Sequence, residues 1–422
     1  MGPEITRRAL LQNGAATGAL AIAERRHSDA HAHSSDRAKA AAKGVVAYPD
    51  LGEGEAITRA SIEAVLSSGT NGNNTFLGHT ALSSLTSGSK NVAMGREALG
   101  AITTGYDNVA VGTQALPLAT NVKECVAIGT GAMQATATLA KESGDTAIGF
   151  EALGRQTATT ESTAVGCLAL SHNEAAGVKN TAVGREALRY NTTGESNTGV
   201  GHNAAEKNKT GIKNTAIGHD SIWNNETGSN NTAVGDLAMF GEPSESTGSE
   251  NSAVGALALF KYTSGHGNSA VGVRALEKLT TGSLNVVLGN HAGSSITTAG
   301  ESVAVGVEAL AAQKTSPGCV AVGFKAGASC VGERSVFIGP EAGREEVNGE
   351  RLYIANGPTT EPLIWGDFAE RELRLYTSKL GLYGVAPVAR HAPIAEPEET
   401  LPALLAVVNE LREALKQVGL TE

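Results

Sequence analysis

The stretch Asn180-Thr181-Ala182-Val183-Gly184 decides the fold, because close variants of it recur along most of the 422-residue chain. We call its last residue the anchor glycine and number the other positions of the repeat from it. Eleven of the fifteen intervals between anchors are 17 residues, and the others are 16, 18, 20 and 20. A fixed period of this length predicts one structural unit stacked on itself as a solenoid. The anchors are Gly78, Gly95, Gly112, Gly129, Gly149, Gly166, Gly184, Gly201, Gly218, Gly235, Gly255, Gly272, Gly289, Gly306, Gly323 and Gly339.

The residues before each anchor predict a short strand. Position −1 is aliphatic or Met in every copy, position −3 is β-branched or Ser, and position −2 is mostly Ala. Side chains alternate between the faces of a strand, so −1 and −3 share one face while −2 and −4 share the other. We expect the −1 aliphatics to form an internal ladder and the anchor glycine to turn the corner.

A second pair of positions completes the coil. Ala and Leu recur at +3 and +4, as in Ala98-Leu99, and a turn glycine such as Gly105 often lies seven residues before the next anchor. These features predict a coil of strand, corner, Ala-Leu segment and turn, with the +4 leucines in another internal ladder. Sixteen coils at roughly 4.8 Å each would form a rod about 75 Å long.

Asparagine dominates position −4, where we expect a ladder of stacked side-chain amides that hydrogen-bond along the solenoid. Asp145, Ser162, Ser302 and Ser335 take its place in some coils. A regular row of Asn and Thr that binds ice or glycan is the alternative. The ladder residues are Asn91, Asn108, Asn180, Asn197, Asn214, Asn231, Asn251, Asn268 and Asn285.

The small residues at −2 predict close packing against another chain. On the face opposite the aliphatics, a row of Ala would let a second backbone approach, so we expect three copies to pack there about a threefold axis. The candidate interface residues in the repeats are Ala182, Ala216, Ala233 and Ala270. A monomeric solenoid with an exposed Ala row is the alternative.

Composition favours a thin, acidic fibre over a compact enzyme. Aromatic residues make up 4% of the chain, 52 residues are Gly, and the formal net charge is −10. An acidic surface disfavours nucleic acid as a partner. The four cysteines lack the spacing of a zinc site, so we expect buried free thiols and assign no metal or cofactor.

The chain before the repeats predicts two segments without chemistry. Residues 1–43 contain Arg7-Arg8 ahead of the apolar run Ala15–Ala23, which resembles a twin-arginine export signal. A disordered basic arm is the alternative. Residues 44–70 are predicted to cap the open edge of the repeat domain, which we place at 71–346.

Two further segments follow the repeats. Residues 347–396 are predicted to form a small β-rich knob, since they hold several of the few aromatic residues. Residues 397–422 predict a coiled-coil helix with an apolar seam, which needs partner helices because it is under four heptads long. The seam residues are Leu401, Leu404, Val408, Leu411, Leu415 and Val418.

The Asn-Thr-Ala-Val-Gly coils resemble the head repeats of trimeric autotransporter adhesins and, more closely, repeats of bacteriophage tail and head fibres. The stretches Pro362–Phe368 and Lys379–Val388, with the terminal helix, are similar to the distal ends of phage fibres. The resemblance covers about residues 71–422 and implies a homotrimeric parallel β-roll. The chain lacks the adhesins' terminal membrane barrel, so we expect no integral membrane segment.

Together these features predict an all-β homotrimeric solenoid fibre, outside a cell or on a virion, that binds a surface glycan or protein without catalysis. The enzymatic alternative is a tailspike-like polysaccharide depolymerase with paired carboxylates on one face. The recurrence of Glu97, Glu151, Glu186, Glu308 and Glu341 at +2 favours a solvated edge.

Overall fold

A computed structural model describes residues 73–136, 144–156, 160–174, 177–243, 246–377, 379–380, 388–389 and 401–417. The expected export signal at 1–43 and cap at 44–70 lie outside these residues. The chain divides between Ser196 and Asn197 into two compact units.

The first unit contains seven three-residue strands, one for each coil, and it confirms the predicted parallel solenoid. Each strand pairs with the next in parallel and in register, so that Thr163, Ala164 and Val165 lie beside Thr181, Ala182 and Val183. The strands are β1 (Thr75–Leu77), β2 (Val92–Met94), β3 (Val109–Val111), β4 (Val126–Ile128), β5 (Thr146–Ile148), β6 (Thr163–Val165) and β7 (Thr181–Val183).

The second unit is built from the same kind of coil, with nine strands that pair in parallel and in register, for example Ser252, Ala253 and Val254 beside Ser269, Ala270 and Val271. The 17-residue period thus produces sixteen strands in the two units together. They are β8 (Thr198–Val200), β9 (Thr215–Ile217), β10 (Thr232–Val234), β11 (Ser252–Val254), β12 (Ser269–Val271), β13 (Val286–Leu288), β14 (Val303–Val305), β15 (Val320–Val322) and β16 (Val336–Ile338).

The repeats end in antiparallel strands and a helix. β17 (Arg351–Ile354) pairs in parallel with β16, and β18 (Ile364–Asp367) and β19 (Glu372–Leu375) add to it antiparallel. β20 (Lys379–Leu380) and β21 (Val388–Ala389) form a separate antiparallel pair. The helix α1 spans Leu401–Gln417.

The corner of each coil requires glycine for two reasons. The anchor glycines have φ between +112° and +144°, a region that side chains disfavour. The next coil also leaves no space, since a Cβ at Gly112 would lie 2.6 Å from the carbonyl of Gly129. The coil also holds left-handed residues that are not glycine, typically at +2, +4 and −5, as at Glu97, Leu99 and Asp107. Each costs on the order of 1 kcal/mol, which packing between coils must offset.

The strand face that points into the coil is the opposite of the face that we predicted. The −2 alanines are completely buried, whereas the −1 side chains point outward: Val254 is 40% exposed and its neighbour Ala253 is 0% exposed. The interior is narrow beneath the strand because the +4 leucines and the −4 amides already fill it, so only a small side chain fits at −2. The predicted internal ladder of −1 aliphatics was therefore wrong, while the +4 ladder is internal, as at Leu188.

Volume compensation near the end of the stack supports this view of the core. Phe337 occupies position −2 and is completely buried. Its ring lies beside Gly327 and Gly343, which occupy position +4 of their coils, where most coils have Leu. A Cβ at Gly327 would come within 2.5 Å of the Phe337 ring. The aromatic ring thus takes the volume that leucines fill in other coils.

This compensation predicts a strong coupling. Gly327→Leu should destabilise the fold by about 1–3 kcal/mol through overpacking, and Phe337→Ala by about 3–5 kcal/mol through a cavity. The double variant restores the Leu and Ala pattern of other coils, so its loss should be smaller than the sum of the two. Denaturant unfolding of the four proteins measures the coupling, and simple additivity would contradict this packing.

Candidate interaction surface

Neighbouring −4 asparagines form a hydrogen-bonded ladder in the interior of each unit. The Nδ2 of Asn91 donates to the Gly105 carbonyl at the turn of its own coil, at 2.9 Å. Its Oδ1 accepts from the backbone N–H of Asn108 at 3.1 Å and from the Asn108 side chain at 2.9 Å. The second unit repeats the pattern from Asn251 to Asn268. These amides are buried and bonded within the chain, so they offer nothing to an ice or glycan surface.

The replacements at −4 show what the position requires. Asp145 accepts from the Ser162 backbone N–H at 2.7 Å, and Ser162 Oγ accepts from the N–H of Asn180 at 3.2 Å. Both therefore supply an acceptor for the backbone N–H of the next coil, as asparagine does. The role of the position is to satisfy a buried backbone donor.

A second internal row, at +7, escaped the sequence analysis. Asn191 donates to Asn173 Oδ1 at 2.9 Å in the first unit. In the second unit Asn225 donates to Asn208 Oδ1 at 3.2 Å and accepts from the buried Tyr262 hydroxyl at 3.1 Å. Burial raises the pKa of Tyr262, so the hydroxyl stays protonated and donates. The row is hard to see in the sequence because the same position holds Leu85, Ile102 and Gln156 in other coils.

The alanines expected at an interface between chains are in the core. Each is 0% exposed and so cannot contact another chain in this fold. That part of the prediction was wrong, because alternation fixes which residues share a face and leaves open which face is inside. The residues concerned are Ala182, Ala216, Ala233 and Ala270.

The outward face of the strands is instead an aliphatic stripe, which we define as the −1 side chains. The stripe follows the strand register, so aliphatic groups of successive coils are neighbours in each unit. Eleven of its members are more than one-third exposed, and the others are half-buried. The eleven are Leu77, Met94, Ile128, Ile148, Val183, Ile217, Val254, Val271, Leu288, Val322 and Ile338. A repeated apolar row on the surface is typical of an interaction site.

Helix α1 presents a second apolar surface. Val408 and Leu411 are 51% and 47% exposed, and Leu405 beside them is 61% exposed, whereas Leu415 is half-buried. The predicted helix is present, and its range includes the seam positions Leu401, Leu404 and Leu415. Val418 lies outside the described residues. Its apolar face has no cover in the single chain over the part described.

Acidic side chains at +2 and aromatic side chains at +5 are engaged with their neighbours. Glu186, for example, pairs with Arg189 at 2.9 Å. Phe240 stacks on Phe260 with centroids 5.2 Å apart, and Trp223 packs against Phe240 at 4.8 Å with its ring tilted. The Lys207 ammonium lies 3.9 Å from the Trp223 ring centroid. Because these rings contact one another and Lys207, this row has little flat area left for a sugar.

The four cysteines are free thiols, three of them buried. Cys319 and Cys330, however, are neighbours across one turn, and both donate to the Gly332 carbonyl, at 3.3 and 3.5 Å. The neighbouring Cys330 thiol, through hydrogen bonding, holds the pKa of Cys319 below its ordinary value. The coil brings together two residues whose sequence positions suggested no relation.

A scan against protein-family models, a search of curated proteins and a search of solved structures each found no match. Among the described residues, no helix has the length and apolar character needed to cross a membrane.

Asp145 predicts a pH dependence. Burial raises its pKa above the ordinary 3.8, although its hydrogen bonds to Ser162, Thr160 and Gln156 oppose the shift. A raised pKa gives stability that is present below the unfolded value and is lost as pH rises through the folded value. Relative to Asp145→Asn, which does not titrate, the wild type should therefore lose stability between pH 3.5 and pH 7.5. Urea unfolding at the two pH values measures this difference, and a pH-independent or reversed difference would contradict it.

Proposed function

We propose that the chain is the subunit of an extracellular homotrimeric fibre with a structural and adhesive role. The observation that carries the proposal is the aliphatic stripe, which follows the solenoid from coil to coil on its outer face. A β-solenoid is compatible with a fibre or adhesin, and its repeated coils suit a scaffold better than a single reactive site.

Further copies of the same chain are the occupant that fits the stripe best. The stripe has the period of the coil, so a second copy in register brings aliphatic side chains against aliphatic side chains in every coil of each unit. Burial of such a surface is worth about 25 cal/mol for each Å² removed from water. A globular partner could cover a few coils of it only.

Helix α1 supports the same occupant. Its exposed Val408 and Leu411 have heptad spacing, and an isolated 17-residue helix is marginally stable in water. Association of three copies covers these side chains and fixes the register of the chains. The proposed trimer is the one predicted from the sequence, but its subunits would meet through the −1 aliphatic side chains instead of the −2 alanines.

The proposal assigns no catalytic step to the chain. In the coils described, Asp145 is a buried carboxylate that is fully engaged as an acceptor in the −4 row. The +2 carboxylates recur along an edge and pair with nearby basic groups, as Glu97 does with Arg96 at 2.9 Å. A depolymerase would need two carboxylates aimed at one glycosidic bond. Adhesion to a glycan or protein would use residues that differ between coils, since the repeated positions are alike.

The solution mass tests the proposal. Light scattering on the full-length chain should give three times the 42.9 kDa of one chain. Val254→Lys with Val271→Lys puts two charges on the stripe in adjacent coils, where both side chains are about 40% exposed. This variant should stay folded by circular dichroism and sediment as a single chain at a concentration where the wild type is assembled.

The matched control places the same charges away from the stripe. Ser264→Lys with Thr281→Lys changes two exposed turn positions in the same part of the solenoid, also one coil apart. This variant should retain the wild-type mass. A monomeric wild type, or a stripe variant that assembles like the control, would contradict the proposal.

A further inference from the structure

Two histidines and an aspartate meet on the surface of the second unit. His202 and His219 both occupy position +1, one coil apart, and Asp220 occupies +2 beside them. One nitrogen from each histidine and one carboxylate oxygen lie within 4.8 Å of one another. The imidazole rings are stacked, with centroids 5.3 Å apart and planes inclined by 10°. The sequence alone predicts no metal site here, because a separation of 17 residues matches no local ligand motif.

The neighbours of the cluster orient its ligand atoms. His219 Nδ1 lies 3.1 Å from Asp236 Oδ1, an arrangement in which Nδ1 carries the proton and donates it. Its other nitrogen, Nε2, then keeps a lone pair and lies 3.7 Å from Asp220 Oδ2. A carboxylate behind a histidine is the usual way in which proteins fix the tautomer of a metal ligand.

Asp220 is held from its other side. Asn203 Nδ2 donates to Asp220 Oδ1 at 2.9 Å, which leaves Oδ2 to face His219. The Oδ1 of the same Asn203 amide and the Nδ1 of His202 are buried and have no hydrogen-bond partner in the described structure. Two unpartnered polar atoms at one cluster are costly to the apo protein, and a bound cation offsets such a cost.

We propose that His202, His219 and Asp220 form a binding site for a divalent transition metal of the Zn²⁺ class. Imidazole nitrogen suits Zn²⁺, Cu²⁺ and Ni²⁺, whereas Ca²⁺ and Mg²⁺ prefer oxygen ligands alone. Donor atoms around tetrahedral Zn²⁺ are roughly 3.4 Å apart, from bond lengths near 2.1 Å. The cluster reaches this spacing through side-chain rotations on an open surface, and water completes the coordination.

The metal would join adjacent coils. His202 belongs to one coil and His219 with Asp220 to the next, so one ion bridges two turns of the solenoid. Binding only to the folded chain raises its stability. The histidine pair is confined to these two adjacent coils, because position +1 is Arg96, Thr113, Arg185 or Val273 in others. The inference rests on side chains of one chain and does not depend on the proposed trimer.

Calorimetric titration of metal-free, full-length protein with Zn²⁺ tests the site. The wild type should bind one more equivalent than His202→Asn or His219→Asn. The matched control is His79→Asn, which changes an exposed histidine at the same +1 position of its coil, with Arg96 at +1 of the next coil. This control should bind like the wild type. Other histidines of the chain are common to all four proteins and cancel in the comparison.

Two further measurements separate a ligand role from a structural one. Asp236→Asn should keep the stoichiometry and weaken binding by about 10- to 100-fold, as expected for a group that orients a ligand. Zn²⁺ should raise the thermal midpoint of the wild type and of His79→Asn, and should leave that of His219→Asn unchanged. Equal Zn²⁺ stoichiometry and affinity in wild type and His219→Asn, with both folded, would overturn the site.

Discussion

The recurring hydrogen bond from the backbone N–H at position −4 to the −4 side chain of the preceding coil is the constraint on which the structure depends. It is seen from Asn108 to Asn91, from Ser162 to Asp145 and from Asn268 to Asn251. A buried backbone donor needs an acceptor, so this position faces inward and is Asn, Asp or Ser in most coils, with Cys125 and Cys319 as exceptions. Strand alternation then places −2 inside and −1 and −3 outside. The small interior, the aliphatic surface and the glycine corners follow from this choice.

The period predicted much of the fold because stacking repeats the same contacts in each coil. The strand before each anchor, the glycine corner and the internal leucine at +4 all recur at constant offsets, and each is present. The face of the strand was wrong because hydrophobicity alone favours burial of the aliphatic −1 side chains over alanine. The sequence did hold a clue: Asn at −4 shares a face with Ala at −2, and an amide ladder of this kind is satisfied in the interior.

The repeat pattern could not predict features that do not recur from coil to coil. The +7 row changes from Leu and Ile to Asn and then to Tyr262, so no single residue type marks it. Phe337 and Gly327 compensate for each other across coils, which only the packing shows. The neighbours His202 and His219 become visible once coils are aligned, because proximity in a solenoid is set by the period. Cys319 and Cys330 lie at −4 and +7 of a single coil, so only the path of that coil shows that they meet.

The reversal of the strand faces also changes the account of assembly. An internal aliphatic ladder would leave alanine to mediate contact between chains, with little apolar area to bury. An external one gives each unit an apolar surface that repeats with the coil. A β-solenoid of this design separates two tasks: polar ladders satisfy the backbone inside, and apolar side chains are available for contact outside.

Methionine oxidation tests the face assignment most directly, because three methionines of the repeats occupy the two kinds of position. Met94 is at −1 and 41% exposed, whereas Met133 and Met239 are at +4 and 0% exposed. The measurement is the rate of sulfoxide formation at each methionine in folded, dissociated chains treated with hydrogen peroxide, read by mass spectrometry. We predict that Met94 is oxidised at least about tenfold faster than the other two, since the reagent must reach the sulfur. A Met94 as protected as Met133 and Met239 would contradict the account.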